Sequence, residues 1–367
     1  MAIRVLHIIG GLALGGAQVI VRQIAEQSRP DRTEHLVWPL RPANDRIRIK
    51  APIIRLGYPN YDPRKFFAIP RLCKEHRIDV IHAHLSKPIM GALLSGVSKS
   101  IPVIVHEHGP VCREGIQYDF YRFMLKRLWP RAAAVIAVSH HIETILTKQI
   151  GIAEEKIHLL PNAADLSAFD MFVRDRHAVR MKMNIPPDSV VLGYVGRLSR
   201  VKGADLLMDI LRELKKESGN FVMLVAGEGQ EQAAMKRACE QYDLHANVRF
   251  LGFVEDIRPV MAASDIGLVP SRQEPFGIVA IEWMRMRTPV ITSGVDGLGE
   301  FISHGQTGWV TPENTPQAIS RMVHKILANQ DTMRTVIDNA YRHTEAFELS
   351  SYLDRLETLY QEVLNQP

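Results

Sequence analysis

The segment Glu274-Pro-Phe-Gly-Ile-Val-Ala-Ile-Glu282 places two carboxylates around the start of a helix, directly after the apolar run Ile266–Pro270. Pro275 and Gly277 mark the turn, so the backbone N–H groups near Phe276, Gly277 and Ile278 open the helix without partners. Such a helix start attracts phosphate through its dipole and its unpaired donors. Glu282 lies about 12 Å of helical rise or less beyond Glu274, comparable to a sugar, a diphosphate and a ribose laid end to end. One carboxylate can then hold sugar hydroxyls and the other ribose hydroxyls. The bland alternative, that Glu282 is a solvated helix residue, is not excluded by the spacing alone.

A second cationic element supports the first. After Leu192–Val195 comes Gly196-Arg197-Leu198-Ser199-Arg200-Val201-Lys202-Gly203 and then a helical pattern. Glycine lets the backbone turn sharply and come close to a ligand. Arg197 offers a planar fork and Lys202 a point charge, and together they can neutralise a pyrophosphate. Alone, this is equally a basic surface loop. A third glycine-rich turn, Gly10-Gly11-Leu-Ala-Leu-Gly15-Gly16-Ala17, follows the first strand candidate. The GxGxxG spacing is absent and no acidic residue ends the next strand, so a nicotinamide or flavin site is disfavoured. Its amides still suit a phosphate or an acceptor.

Histidines gather at strand ends as His82-x-His84, His106-x-His108 and His140-His141. Each HxH pair shares a strand face and could chelate, but the chain has no Asp-x-Asp to hold a metal diphosphate. The expectation is no metal, with structural hydrogen bonds for these histidines and His108 as the exception discussed below.

The elements that position these residues alternate between short apolar runs and amphipathic stretches. Strand candidates are Arg4–Ile9, His35–Leu40, Ile78–Ala83, Pro102–His106, Ala133–Val138 and Ile157–Leu160, then Val190–Val195, Phe221–Ala226, Val248–Leu251, Ile266–Pro270 and Pro289–Thr292. Several are apolar on both parities, as parallel strands covered on two faces must be. Helical stretches such as Ala204–Glu217 and Glu231–Tyr242 separate them, which predicts doubly wound α/β sheets. The run interrupts over Asn162–Ser189, with Pro186-Pro187 and one short helix expected at Asp175–Met183. The reading is two Rossmann-like domains, 1–165 and 190–347, joined by a linker at 166–189. A closing helix, 348–367, carries Leu353, Leu356, Tyr360 and Leu364 on one stripe and is expected to dock.

The length of 367 residues suits two domains, and 46% hydrophobic with 23% charged residues suits a soluble protein. Three widely spaced cysteines, Cys73, Cys112 and Cys239, argue against a disulfide framework or zinc ribbon and favour a reducing, cytoplasmic setting. The apolar stretch from Val5 to Ile24 holds His7, Gln18, Arg22, Gln23 and several glycines. That reads as a strand and glycine loop rather than a membrane span or signal peptide. Net charge is +5, yet residues 1–165 carry 23 Lys/Arg against 14 Asp/Glu, and the rest 22 against 26. The basic half expects an anionic partner.

In order along the chain stand Gly15-Gly16-Ala17, Asp79-Val-Ile-His-Ala-His84, His108-Gly109, Val138-Ser139, Pro161-Asn162, Gly196-Arg197 with Lys202-Gly203, Gly227-Glu228-Gly229, Pro270-Ser271, Glu274 to Glu282, Pro289-Val290, and Gly299-Glu300. This series resembles retaining glycosyltransferase family 4, whose GT-B fold sets two Rossmann-like domains facing a central cleft. The resemblance implies that Arg197 and Lys202 bind the donor diphosphate, that Glu274 holds the donor sugar and that Glu282 holds the ribose. It places His108 near the transferred bond and Gly15 and Gly16 against the diphosphate, with Phe276, Gly277 and Ile278 at the phosphate-binding helix start. His108, Glu274, Arg197 and Lys202 are then the catalytic candidates, and no cofactor or metal is required. The sequence departs from the family's usual pattern at Ala163, Gln18 and Arg287, none of them a proposed phosphate ligand.

The expected function is a retaining transfer from a nucleotide diphosphate sugar, with UDP favoured, to a glycan or lipid-linked acceptor in cell-surface polysaccharide or lipopolysaccharide-type synthesis. The alternatives are a non-catalytic nucleotide-sugar-binding subunit and a GT-B epimerase. Two aromatic and basic stretches, Arg41–Arg77 (with Tyr58, Tyr61, Phe66 and Phe67) and Tyr118–Arg131, suit peripheral contact with an anionic membrane at its cytoplasmic face. The alternative is that these aromatics are core and the charges a solvated face. Nucleic acid is not expected, since the Glu274–Glu282 segment would then have no role.

Overall fold

The computed structural model describes residues 2–13, 15–41, 45–59, 62–170, 176–217 and 220–366. The chain divides into two compact units, Met1–Ala163 together with Leu349–Pro367, and Ala164–Glu348.

The first domain holds β1 (Ile3–Ile9), β2 (Thr33–Pro39), β3 (Val80–His84), β4 (Val103–Glu107), β5 (Ala134–Ala137) and β6 (Ile157–Leu159). They form one parallel sheet in the order 2-1-3-4-5-6. Every residue of β3, β4 and β5 is buried, because helices cover both faces of a parallel sheet and leave no wet parity. The terminal helix Leu349–Leu364 belongs to this unit. It is held by Arg355 donating to the Leu159 carbonyl at 2.6 Å and by Arg32 pairing with Glu357 at 3.2 Å. Its buried stripe includes Leu353, Leu356 and Tyr360 as the periodicity predicts, but Leu364 is 39% exposed and the stripe closes on Val363 instead.

The second domain holds β7 (Val190–Val195), β8 (Phe221–Ala226), β9 (Val248–Gly252), β10 (Ile266–Val269), β11 (Val290–Thr292) and β12 (Trp309–Val310). The order is 12-11-10-7-8-9, which counted within the domain is the 3-2-1-4-5-6 order of dinucleotide-binding sheets. Two-residue β12 was not anticipated, being too short for any periodicity. Gly193 of β7 and Gly267 of β10 are register partners. A Cβ on either would come within 2.5 Å of the fully buried Trp283 ring. The missing side chains make the hollow that seats this tryptophan and fixes the helix Ile278–Arg285 on the sheet.

The stretch read as a linker, 166–189, clusters with the second domain. It contains the helices Ser167–Asp170 and Arg176–Lys182, the start expected at Asp175 lying outside the described residues. Arg285 grips Asp170 with two bonds at 2.6 and 2.7 Å, and Arg180 reaches Asp265 at 2.7 Å. Planar guanidinium forks on carboxylates give these attachments a fixed geometry.

Candidate functional site

In the second domain the candidate residues collect at the carboxyl ends of β7 and β10, where open α/β sheets bind ligands. Gly196 follows β7, and the loop reaches Gly203 at φ +70°, where a Cβ would lie 1.9 Å from the Pro270 carbonyl oxygen. Only glycine permits both that conformation and that approach. Arg272 clamps the same loop by forking onto Asp205 at 2.6 and 2.9 Å and donating its backbone N–H to Val201 O at 2.7 Å. The Tyr194 hydroxyl donates to Arg197 O at 2.8 Å. Burial, with the Glu274 charge second, holds that phenol above its ordinary range and therefore neutral.

Lys202 Nζ lies 2.6 Å from Glu274 Oε2, which also accepts from Ser271 Oγ at 3.1 Å. The Glu274 side chain is 8% exposed against 29% for Lys202, so the ammonium is the wet end of the pair. The Glu274 backbone is pinned on both sides: its N–H donates to Asp296 Oδ2 at 2.9 Å and its carbonyl accepts from Gly297 N–H at 3.1 Å. Gly277, at φ +99°, caps the helix Ile278–Arg285, which has neither a side-chain cap nor an acid in its first turn. Its leading amides therefore stay available to an anion.

Phe276 turns inward against Phe301 and Phe347, with ring centroids 5.4 and 5.7 Å away. It can serve a ligand only through its backbone. Glu282 sits in the second helical turn and is buried, not solvated. Arg272, Asp205 and Asp296 were not singled out from sequence, because each acts by holding a loop and carries no motif of its own.

The first domain presents a second set. Gly15 and Gly16 open the helix Gly16–Gln27, again without a side-chain cap, and Leu14 lies outside the described residues. Gln18 donates its amide to Gly11 O at 3.2 Å, tying the loop back on itself. His108 follows β4 in a turn organised by Glu107. The Glu107 carboxylate accepts from Gly109 N–H at 2.8 Å, Val111 N–H at 3.3 Å and the Tyr121 hydroxyl at 2.6 Å. Burial pushes that carboxyl up despite these three donors. Burial also drives His108 down to about 3, so its ring is neutral near pH 7.

His108 is hydrogen-bonded to His84 and, unanticipated from sequence, through it to His7 and His35, while His82 and His106 bond to each other and His106 stacks on His108. His140 stands apart, exposed and paired with Glu143 at 2.8 Å. An amide-rich helix start, a lysine and a sunken carboxylate in one domain suit a diphosphate beside a polyol. The neutral imidazole in the other suits a partner that exchanges hydrogen bonds without charge.

Known proteins share the family and the fold of this chain. Residues 1–168 match the model of Glycosyltransferase Family 4, and residues 175–343 match that of Glycosyl transferases group 1. An uncharacterized glycosyltransferase of Methanocaldococcus jannaschii is 30% identical over 56% of this chain and 54% of its own length. A D-inositol 3-phosphate glycosyltransferase of Jonesia denitrificans is 28% identical over 59% of this chain and 54% of its own. The chain thus spans about half the length of these two relatives. The solved Anabaena protein HepE, in complex with UDP and glucose, superposes with a TM-score of 0.81 at 22% identity, covering 97% of this chain and 98% of that one. At that identity the likeness shows the fold, two Rossmann-like domains of the GT-B type.

Proposed function

This chain belongs to the family 4 glycosyltransferases, and from that premise we propose that it transfers a sugar from a nucleoside diphosphate sugar to a glycan or lipid-linked acceptor, with retention of anomeric configuration. The observation that carries the reading is the Lys202–Glu274 pair beside the uncapped start of Ile278–Arg285. In the free protein the two side chains neutralise each other. An arriving diphosphate takes the Lys202 ammonium, with Arg197 and the amides of Gly277 and Ile278 as further donors. Glu274 is then released to accept from sugar hydroxyls, while Glu282 accepts from the ribose.

Preorganised donors aimed at a leaving diphosphate are worth most in the transition state, where its charge develops. On a same-face route, the sugar–phosphate bond breaks as the acceptor oxygen bonds the same carbon. The acceptor proton passes to the departing phosphate. No metal or cofactor enters this scheme, so turnover should be indifferent to chelator. UDP is the favoured base because a structural neighbour of the same fold holds UDP and glucose.

Support for a lipid-linked acceptor comes from the first domain's surface. Ile116, Phe120 and Phe123 are 88%, 55% and 51% exposed and share one stripe of the helix Ile116–Leu128, while Phe67 is 79% exposed on Arg64–His76. Arg127 lies over the Phe123 ring at 3.6 Å. Tyr121 and Leu128, of the same aromatic stretch, are core instead, and Tyr61 lies outside the described residues. Exposed aromatics among Arg and Lys suit the interface of an anionic bilayer. Among the described residues, no helix is long and apolar enough to cross a membrane.

The test is a panel of uridine, guanosine and adenosine diphosphate sugars, read by thermal shift and slow donor hydrolysis. One base should stabilise the protein, and Lys202→Ala should cut turnover by about 10²–10³-fold. Full turnover in Lys202→Ala would remove the reading.

A further inference from the structure

The histidines of the first-domain sheet lie on one face: the register sets His35 beside Val5, His7 beside His82 and His84 beside His106. Their rings form two hydrogen-bonded files. In the first, Thr33 Oγ1, His35, His7, His84 and His108 are linked in turn at 3.0, 2.9, 3.0 and 3.0 Å. In the second, the Tyr360 hydroxyl, His82 and His106 are linked at 2.7 and 3.1 Å. The first file ends on His108 Nδ1 and the second on His106 Nε2, both buried and without a hydrogen-bond partner. The two terminal rings stack with centroids 3.9 Å apart. Burial lowers the pKa of all six histidines, so the files consist of neutral rings near pH 7.

A neutral imidazole has one N–H and one lone pair. A ring with a neighbour on each side must therefore donate to one and accept from the other. The first file then has only two proton orders. If the Thr33 hydroxyl donates to His35 Nε2, every ring carries its proton on Nδ1 and the file ends in a His108 Nδ1–H. If Thr33 accepts, every proton sits on Nε2 and the file ends in a bare His108 lone pair. In that second order the Thr33 proton also lacks an acceptor, since His35 is its one side-chain partner among the described residues. Buried unpaired donors and acceptors both cost free energy. The first order strands one group, the second strands two.

We infer that this file is a tautomer relay, in which Thr33, His35, His7 and His84 act as positioning residues that hold His108 in its Nδ1–H form and present that N–H to a ligand oxygen. The tautomer half stands on the first domain alone. The ligand half rests on the transferase reading.

The experiment uses the full chain labelled with ¹⁵N-histidine, with signals assigned through single variants and tautomers read from long-range ¹H–¹⁵N correlations. His35, His7, His84 and His108 should all be Nδ1–H. Thr33→Val keeps the shape but removes the hydroxyl, so each order strands one donor and one acceptor. His108, three rings away, should then show both tautomers, and Thr33→Ser should restore one. An Nε2–H His108 in the wild type, or a His108 indifferent to Thr33→Val, overturns the relay. So does stoichiometric uptake of Zn²⁺ that shifts His84, His106 and His108, whose ligating nitrogens lie within 4.8 Å of one another.

Titration with UDP and with UDP-glucose forms the second arm. With about half of the Thr33→Val protein in the wrong order, Kd should weaken about twofold. Weakening for UDP-glucose alone identifies a sugar oxygen as the acceptor, and weakening for both identifies a phosphate oxygen. Unchanged affinities remove the ligand half. Failure of either compound to bind, with the tautomers as expected, sinks the donor assignment and leaves the relay standing.

Discussion

The two sheets are built alike and filled with opposite chemistry. Strands β1 to β4 of the first bring His7, His35, His82, His84 and His106 into the interior, while the six strands of the second carry no histidine. Where the first sheet is spanned by rings joined nitrogen to nitrogen, the second leaves out side chains at Gly193 and Gly267 and fills the hollow with Trp283. The apolar solution fixes position: it seats the helix that carries Glu282 and whose entering turn carries Glu274. The polar solution fixes direction, since a file of neutral imidazoles specifies where each proton sits. Buried polar rings gain this only where every link is made.

Acidification should separate the domains most. Burial lowers the folded pKa of His35 to about 4, below the ordinary histidine value of 6.5, so the unfolded chain takes the proton first. The stability this neutral ring permits is complete above about pH 6.5 and is lost as pH falls toward 4, by about 3 kcal/mol for this group alone. The other five shift the same way. Hydrogen exchange resolved by domain should show the first domain weakening further between pH 7 and 4.5. Parallel weakening of both would erase the contrast.

Gly267→Ala attacks the other side. Its Cβ would meet the Trp283 ring at 2.5 Å, and a fully buried indole has no room to retreat. A loss of about 3 kcal/mol is expected, read as a lower denaturant midpoint for the second domain with the first unchanged. Tyr360→Phe probes the shorter histidine file. It strands His82 Nδ1 in the core, at a cost of about 1–2 kcal/mol, and exchange in β3 should report it. The smallest stability change is expected for Phe120→Ser with Phe123→Ser, about 0.5 kcal/mol or less on an exposed stripe. The same pair should weaken co-sedimentation with anionic vesicles, and undiminished binding would detach the stripe from any membrane role.

Eleven of the twelve strands among the described residues were legible within a residue or two, because short apolar runs rich in β-branched residues and bounded by turn signals suit a strand better than a helix at that length. The loops with Arg197–Lys202 and Glu274–Glu282 were legible through their glycines, which mark where backbone must turn or approach. What escaped were roles made by contact. Glu107 carries no signal in the sequence, and its role comes from Gly109, Val111 and Tyr121 donating to it in the fold. Glu282 could not be told from a solvated residue until its burial was known.

The order of strands, turns and charged loops, and with it the phosphate-seeking chemistry, is local information: periodicity, glycine and charge act over a few residues and can be read in a line. Which histidine faces which is not local. His7, His35, His84 and His108 become one file only when parallel pairing aligns four distant segments on one sheet face, and the same pairing sets Gly193 beside Gly267 for a tryptophan sixteen residues further on. Those decisions belong to register and packing, which one-dimensional patterning constrains but does not choose.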